Sequence, residues 1–327
     1  MINWGFIGAS RIAEKITPLI QTTEDHNILS IASRSAEKAK SFSAKFNIQN
    51  YYSNYEDLIS NEIINAVYIS LPNSSHFDWC KKALVAGKHV LCEKPLAMDS
   101  HQVIELTSLA KEKKVHLAEG FMYRHHNQTQ SIIKLLQSKN YGKVLFLHGT
   151  FNFQLSDTNN IRLRYEEGGG ALRDIGCYIV DFIHALIENP LKKLHVISEF
   201  ASTGVDSSNS VMLEYSEGIT ATFNCSFKAP RRDYFEIICE NGQFLIDSPF
   251  KPDRSTGVKI LTPENTTHQS WPDLLDPYFK QFENFRNVIE LKDAPIVTLE
   301  QSLRNQKVLD LIAIEHLKQS SKIDQSQ

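Results

Sequence analysis

Three short stretches of this 327-residue chain hold the side chains best suited to moving a proton or gripping an anion. In VLCEKPLAM, at 90–98, Lys94 follows an apolar run and is succeeded by Pro95. A lysine at a strand end can be an ordinary solvated cation. Pro95, however, fixes its own φ and confines Lys94 to extended backbone, so the amine is aimed, as a proton-moving group at the mouth of a cleft must be. In EEGGGALRDIGCYIVDFIHAL, at 166–186, the triplet Gly168, Gly169 and Gly170 can approach a ligand closely. The helix expected after it places Asp174, Tyr178 and Asp181 at i, i+4 and i+7 on one face, with Ile175, Ile179, Phe182 and Leu186 as its core stripe. Asp174 and Tyr178 alone would read as the solvated side of an amphipathic helix. The glycine triplet and the waiting Lys94 turn that reading toward a site. His184, deeper in the helix, reads as a structural histidine.

The third stretch is WGFIGASRIAEKI, at 4–16. Gly8, Ala9, Ser10, Arg11, Ile12 and Ala13 approximate the pattern G-x-G-x-x-G/A, with Ser10 replacing the second glycine. The pattern follows a strand and opens a helix, where backbone N–H groups and small side chains can receive a pyrophosphate. The end of the second strand then reads IASRSAEK. An acid there would grip a ribose 2′-hydroxyl, but Ser33, Arg34 and Ser35 stand in its place. Arg34 is a cation suited to a 2′-phosphate, which predicts NADP(H) in preference to NAD(H). Leu71, Pro72, Asn73 and His76 end the fourth strand, and Glu93 and Lys94 end the next. Ligands of doubly wound sheets bind beyond such carboxyl ends, so these residues are expected to edge the same crevice.

The elements that must position these groups are legible as texture. Up to about residue 122, apolar runs alternate with helical stretches (INWGFI, ILSIAS, NAVYISL, HVLCE, VHLAEG), the pattern of a doubly wound parallel sheet. Beyond it come strand-like runs (VLFLHGTFNFQL, LHVISEFAS, SVMLEYS, ITATFNCSF, YFEIICE, QFLIDS) with hairpin breaks, interrupted by a helix at about 171–187 and closed by two helices at about 275–291 and 298–318. The expected division is therefore a Rossmann domain over 1–122 and, over 123–327, an α+β domain with a large, mostly antiparallel sheet, the substrate cleft lying between them.

Composition excludes several classes. A net charge of −3 leaves no basic footprint for nucleic acid, and no apolar run reaches membrane-spanning length. The five cysteines (Cys80, Cys92, Cys177, Cys225, Cys239) form no CxxC pair and read as reduced thiols of a cytoplasmic protein, with no metal site.

CEKPLAM, EGFMYRHH and GGGALRDIGCYIVD, downstream of GFIGASRIA, together resemble the Gfo/Idh/MocA oxidoreductases, in order and over most of the chain. Many members carry histidine at Tyr178; tyrosine there is similar to the dihydrodiol dehydrogenase, xylose dehydrogenase and certain nucleotide-sugar ketoreductase branches, and NNIRL and TGVD (203–206) resemble the dihydrodiol and NADP-dependent D-xylose dehydrogenase branch. Ser10, and Asn127 where proline is usual, depart from the pattern. The resemblance implies an open-faced second domain, often dimeric through its sheet. It also implies hydride transfer between a nicotinamide and a hydroxyl- or keto-bearing carbon of a sugar or cyclic diol. Lys94 aligns with the family's E-K-P lysine and Asp174 with its D-x-G-x-[HY] aspartate. A nucleotide-sugar ketoreductase of surface-glycan synthesis, or a catalytically silent dinucleotide-binding regulator, are the alternatives.

Proton chemistry follows from these types. A free tyrosine, with a pKa near 10, exchanges protons reluctantly at neutral pH, and a neighbouring lysine cation would bring it nearer that range. Tyr178 is expected as general acid/base, Lys94 as its activator and a donor to the substrate oxygen, and Asp174 as an orienter, with the roles of Tyr178 and Lys94 exchangeable. Tyr123, Arg124, Arg162, Trp271 and Tyr278 are candidate sugar contacts, offering aromatic faces or bidentate donors.

Overall fold

The computed structural model describes residues 1–253 and 256–324, with the side chains of the last helix described as far as His316. The chain forms two compact units, but it crosses between them more than once. The first unit comprises Met1–His125 and Leu275–Leu303, and the second His126–Leu274 and the chain from Arg304 onward. A single division at 122/123 therefore does not describe the chain, because the segment that opens the C-terminal helical region returns to the first unit.

The first unit is built on β1 (Ile2–Ile7), α1 (Arg11–Ile20), β2 (His26–Ala32), α2 (Ala36–Phe46), β3 (Asn50–Tyr52), α3 (Tyr55–Ser60), β4 (Ala66–Ile69), α4 (His76–Val85), β5 (His89–Glu93), α5 (Ser100–Lys113) and β6 (Leu117–Gly120). All strand pairings are parallel, in the order β3-β2-β1-β4-β5-β6 expected of a Rossmann sheet. Helices start where a short polar side chain accepts the orphaned N–H of the first turn: Ser10 for α1, Ser35 for α2, Asn54 for α3 and Asp99 for α5. The three-residue β3 is too short to leave a periodic signal and was not foreseen.

α8 (Pro277–Glu290) covers this sheet with aromatic rings. Phe282 and Phe285 lie 4.7 and 5.2 Å from Trp4, centroid to centroid, and Phe282 lies 5.3 Å from Tyr68. Burying each phenylalanine stabilises the unit by roughly 2–3 kcal/mol, which is why 275–303 belongs here. A polar link fixes the helix as well. Trp4 Nε1 donates to His26 Nδ1 at 3.1 Å, so the proton of the neutral ring sits on Nε2 and is donated to Glu283 at 2.6 Å.

The second unit holds α6 (Asn127–Gln137), β7 (Val144–Asn152), α7 (Cys177–Leu186), β8 (Leu191–Phe200), β9 (Asp206–Tyr215), β10 (Thr220–Ser226), β11 (Arg232–Cys239), β12 (Gly242–Asp247), β13 (Val258–Leu261) and β14 (Thr266–Gln269). The order is β14-β13-β12-β11-β7-β10-β9-β8, antiparallel except for the β7–β10 pair. The last helix, α9 (Leu299–Asp324), begins in the first unit and continues into the second. The six long strands are those expected. β14 was missed because TTHQ is polar and has no apolar alternation, and β13 because VKIL is only four residues long. No described helix is long and apolar enough to cross a membrane.

α7 packs on one face of this sheet, with Phe182 4.7 Å from Phe235. It has no solvated face along this stretch, since every residue from Cys177 to His184 is buried. Asp181, wholly buried, accepts from Asn305 Nδ2 at 2.8 Å. The same amide's oxygen accepts from His184 Nδ1 at 2.7 Å, which leaves His184 Nε2 to accept from the Tyr215 hydroxyl at 3.1 Å. Burial holds His184 neutral, its pKa lowered to about 3. Asp181 and His184 thus hold α7 to α9 and β9.

Candidate active site

In the first unit the turn after β1 depends on Gly8, whose φ is +106°. A Cβ there would also meet the Ser70 carbonyl at 2.9 Å, so both conformation and space exclude a side chain. Ser10 is not held in reserve as a hydroxyl donor. Its oxygen caps α1 by accepting from Ala13 N at 3.1 Å, and its proton goes to Ser70 Oγ at 2.8 Å, which in turn donates to the Gly8 carbonyl at 3.1 Å. Ser10 thus does locally what the missing glycine would not, fastening the turn to the end of β4. Arg11 and Ile12, with Ala9 behind them, present the outermost N–H donors of α1.

At the end of β2, Arg34 is exposed and its guanidinium reaches the Tyr55 hydroxyl. Burial pushes the Tyr55 phenol up, and the Arg34 charge pulls it back. Ser35 caps α2, while the buried Ser33 accepts from Ser35 N at 3.3 Å.

Lys94 follows β5 on a half-buried turn, and the Lys94–Pro95 peptide is cis. Its neighbours are tied from three directions. The buried Tyr68 of β4 donates its hydroxyl to Glu93 Oε1 at 2.6 Å. The Leu96 N–H donates to Glu119 Oε1 of β6 at 2.9 Å. His76 has Nδ1 2.7 Å from the Pro95 carbonyl and Nε2 2.9 Å from the Leu71 carbonyl. Burial lowers the His76 pKa and the nearby Lys94 charge lowers it further. His76 was expected to line a cofactor crevice. It is instead fully buried, its ring lying between the Pro95 and Leu71 carbonyls. Leu71, Pro72 and Asn73 are half-exposed on the turn after β4.

In the second unit Asp174 lies in a π-helical turn, Leu172–Gly176, ahead of α7. Such turns carry i→i+5 bonds, so Asp174 and Tyr178 do not stack as four-residue spacing in an α-helix would stack them. The buried Asp206 starts the turn, its Oδ2 accepting from Leu172 N at 2.7 Å and from Asn209 Nδ2 at 2.6 Å. Gly170, at φ +120°, is required here, since a Cβ would meet Asp206 Oδ1 at 2.1 Å. Asp174 Oδ2 accepts from Arg162 Nε at 2.6 Å, which brings together two residues singled out from sequence. The Tyr178 ring packs against Phe151 and Phe250, 5.7 and 5.9 Å away, and those two rings stack on each other at 5.3 Å.

The remaining expected substrate contacts fare differently. Tyr123 and Arg124 are 0 % and 3 % exposed in the first unit, where large side chains have no surface to offer a sugar. Tyr278 lies on α8, half-buried against the core of that same unit, with the Lys15 amine 4.5 Å above its ring. Trp271 is half-buried on the segment that follows β14 in the chain. Tyr68, Glu119, Asp206, Phe151 and Phe250 were overlooked. Glu119 did leave a signal, an acid inside a buried parallel strand, which must find a partner.

The description "Oxidoreductase family, NAD-binding Rossmann fold" matches residues 2–121, and "GFO/IDH/MocA C-terminal domain" matches 129–245. The chain belongs to the Gfo/Idh/MocA oxidoreductase family. Among curated Gfo/Idh/MocA relatives, D-xylose 1-dehydrogenase (NADP(+)) 2 of Haloferax volcanii is 30% identical over 94% of this chain and 95% of its own length. The trans-1,2-dihydrobenzene-1,2-diol dehydrogenase of Xenopus laevis is 37% identical over 94% and 96%. A 3-ketoreductase from Actinomadura kijaniata, solved with NADP and TDP-benzene, superposes with a TM-score of 0.89 at 26% identity, over 96% of this chain and 97% of that one. Variants of that ketoreductase with a lysine replaced by alanine or glutamate, and a tyrosine by phenylalanine, have also been solved.

Proposed function

We propose that this protein is an NADP(H)-dependent oxidoreductase acting on a hydroxyl- or keto-bearing carbon of a sugar or cyclic diol. The observation that carries the cofactor reading is the exposed Arg34 at the end of β2, flanked by Ser33 and Ser35 where an NAD-specific site would carry a carboxylate. The side-chain-free turn at Gly8 and the outermost donors of α1 fit the diphosphate of such a cofactor. Relatives named for NADP-linked sugar oxidation and for diol oxidation support the substrate class.

When bound, the nicotinamide gives or takes the hydride. Lys94 donates to the substrate oxygen, and Tyr178 moves a proton at its phenolic oxygen. Asp174, paired with Arg162, orients a substrate hydroxyl. The roles of Lys94 and Tyr178 are exchangeable, and a rate profile in pH reports whichever groups move the proton. The half-exposed Leu71, Pro72, Asn73 and Glu93 line the cofactor beside Lys94. The protein acts in the cytoplasm as a homodimer or higher homo-oligomer. Association uses the sheet face opposite α7, where Ile197 and Met212 are 75 % and 52 % exposed.

Fluorescence titration with NADPH and with NADH tests the cofactor reading. NADPH is expected to bind at least about tenfold more tightly, and Arg34→Ala to erase the difference without weakening NADH. Tighter NADH binding would overturn the reading. A panel of free aldopentose, cyclic trans-diol and nucleotide-linked ketosugar tests the substrate class, and turnover of the last alone would move the protein to the ketoreductases.

A further inference from the structure

We propose that Tyr68, His76 and Glu119 are positioning residues that together set the direction of the Lys94 amine. This rests on Lys94 being the group that meets the substrate oxygen. The three tethers act on residues 93, 95 and 96, immediately before and after Lys94. They come from β4, from the start of α4 and from β6, so the turn is braced from three separate elements of the first unit.

Packing alone does not call for these polar groups. The Tyr68 ring lies 5.1 Å from Phe6 and 5.3 Å from Phe282, centroid to centroid, an environment that phenylalanine would fill equally well. Only the hydroxyl distinguishes it, and that hydroxyl is bonded to Glu93. Burial pushes the Tyr68 pKa well up and the Glu93 carboxylate pushes it further, so Tyr68 remains a donor. Glu119 is 5 % exposed, and a carboxylate inside a parallel strand is costly unless it is bonded. A neutral His76 has one N–H for two carbonyls; carried on Nδ1, it is donated to the Pro95 carbonyl at 2.7 Å, while Nε2 lies 2.9 Å from the Leu71 carbonyl without a proton to give.

Leverage explains why this bracing matters. A lysine Nζ lies roughly 6 Å from its Cα, so a backbone tilt of about 10° displaces the amine by about 1 Å. A misplacement of that size can lower a rate by about 100-fold. Pro95 restricts the Lys94 backbone but leaves the orientation of the whole turn open. The tethers close that freedom.

The test uses the full chain with Tyr68→Phe, His76→Asn, Glu119→Ala and Glu119→Gln. Turnover is measured beside an NADPH titration and a ¹³C NMR titration of reductively methylated Lys94, assigned with Lys94→Arg. Y68F, H76N and E119A are expected to lower kcat by about 10- to 100-fold while NADPH affinity changes less than about threefold. E119Q keeps an oxygen for the Leu96 N–H and should recover most of the rate. The Lys94 methyl resonance and its titration midpoint should move in Y68F and E119A, with or without substrate. That shift supports the proposal even if no sugar or diol is turned over, in which case only the functional reading fails. Folded Y68F and E119A proteins with an unchanged Lys94 resonance and unchanged kcat would overturn it.

Discussion

Lys94 sits on a turn whose neighbours are each hydrogen-bonded to a buried polar side chain, whereas Tyr178 sits on a helix and rests against a stacked pair of phenylalanine rings. A turn has no internal ladder to hold it, so its direction must be imposed by bonds from neighbouring strands. A helix carries its own ladder, and what remains to be set is its phase and the seating of one face. The π turn at Leu172–Gly176 and the Asp206 bond to Leu172 N set the phase, and the aromatic pair sets the seat. Polar tethers are directional but contribute little net stability, while apolar packing contributes much and is less exact about angle.

The largest expected effect removes the chemistry from both regions. Lys94→Ala and Tyr178→Phe should each lower kcat by about 100- to 10,000-fold with NADPH binding nearly intact, and the double variant should cost far less than the product of the two. Full additivity would show that the two regions do not act in one step. Next comes the contrast in support. Phe250→Ala should destabilise the protein by about 3–5 kcal/mol, read by urea unfolding. Tyr68→Phe should cost only about 1–3 kcal/mol, the price of a bond to a charged group, while still lowering kcat. Equal stability losses would erase the distinction between bracing and packing.

The smallest effect is graded with pH. His184 in the second unit and His125 in the first are both buried neutral, with pKa values lowered to about 3. Below the ordinary value of 6.5 the unfolded chain takes up protons that the folded chain refuses. Stability is therefore full above 6.5 and falls as the pH drops from there toward 3, by about 1.4 kcal/mol per pH unit for each group. His184→Gln should flatten that slope in urea melts between pH 7 and 5.

Much of this was legible in the sequence because it is local. Lys94 was marked by the proline after it, Arg34 by the missing acid at a strand end, and Tyr178 and Asp174 by the glycine triplet ahead of them. The long strands of both sheets announced themselves by periodicity. The tethers did not, because Tyr68 lies 25 residues from Glu93 and Glu119 lies 23 from Leu96. Pairing them requires the order and register of the sheet. A helix was expected at about 275–291, but nothing local said which sheet it would cover, and nothing in the composition of LRDIG announces a π turn. Ser10 declared only that a small residue stood where the second glycine is usual, its hydroxyl open to a phosphate. Its proton goes instead to Ser70, 60 residues away.

The return of residues 275–303 to the first unit has a consequence for how the protein is made. His125 leaves the ribosome long before Phe282, and at about 5–20 residues per second the interval is roughly 8–30 s. Throughout that time Trp4, Phe6 and Tyr68 lack the rings that cover them in the finished protein. The nucleotide-binding unit is therefore completed late in synthesis, after the whole of the second sheet. A fragment cut at residue 125 would expose the aromatic face that α8 covers, and would be a poor stand-in for the cofactor-binding half.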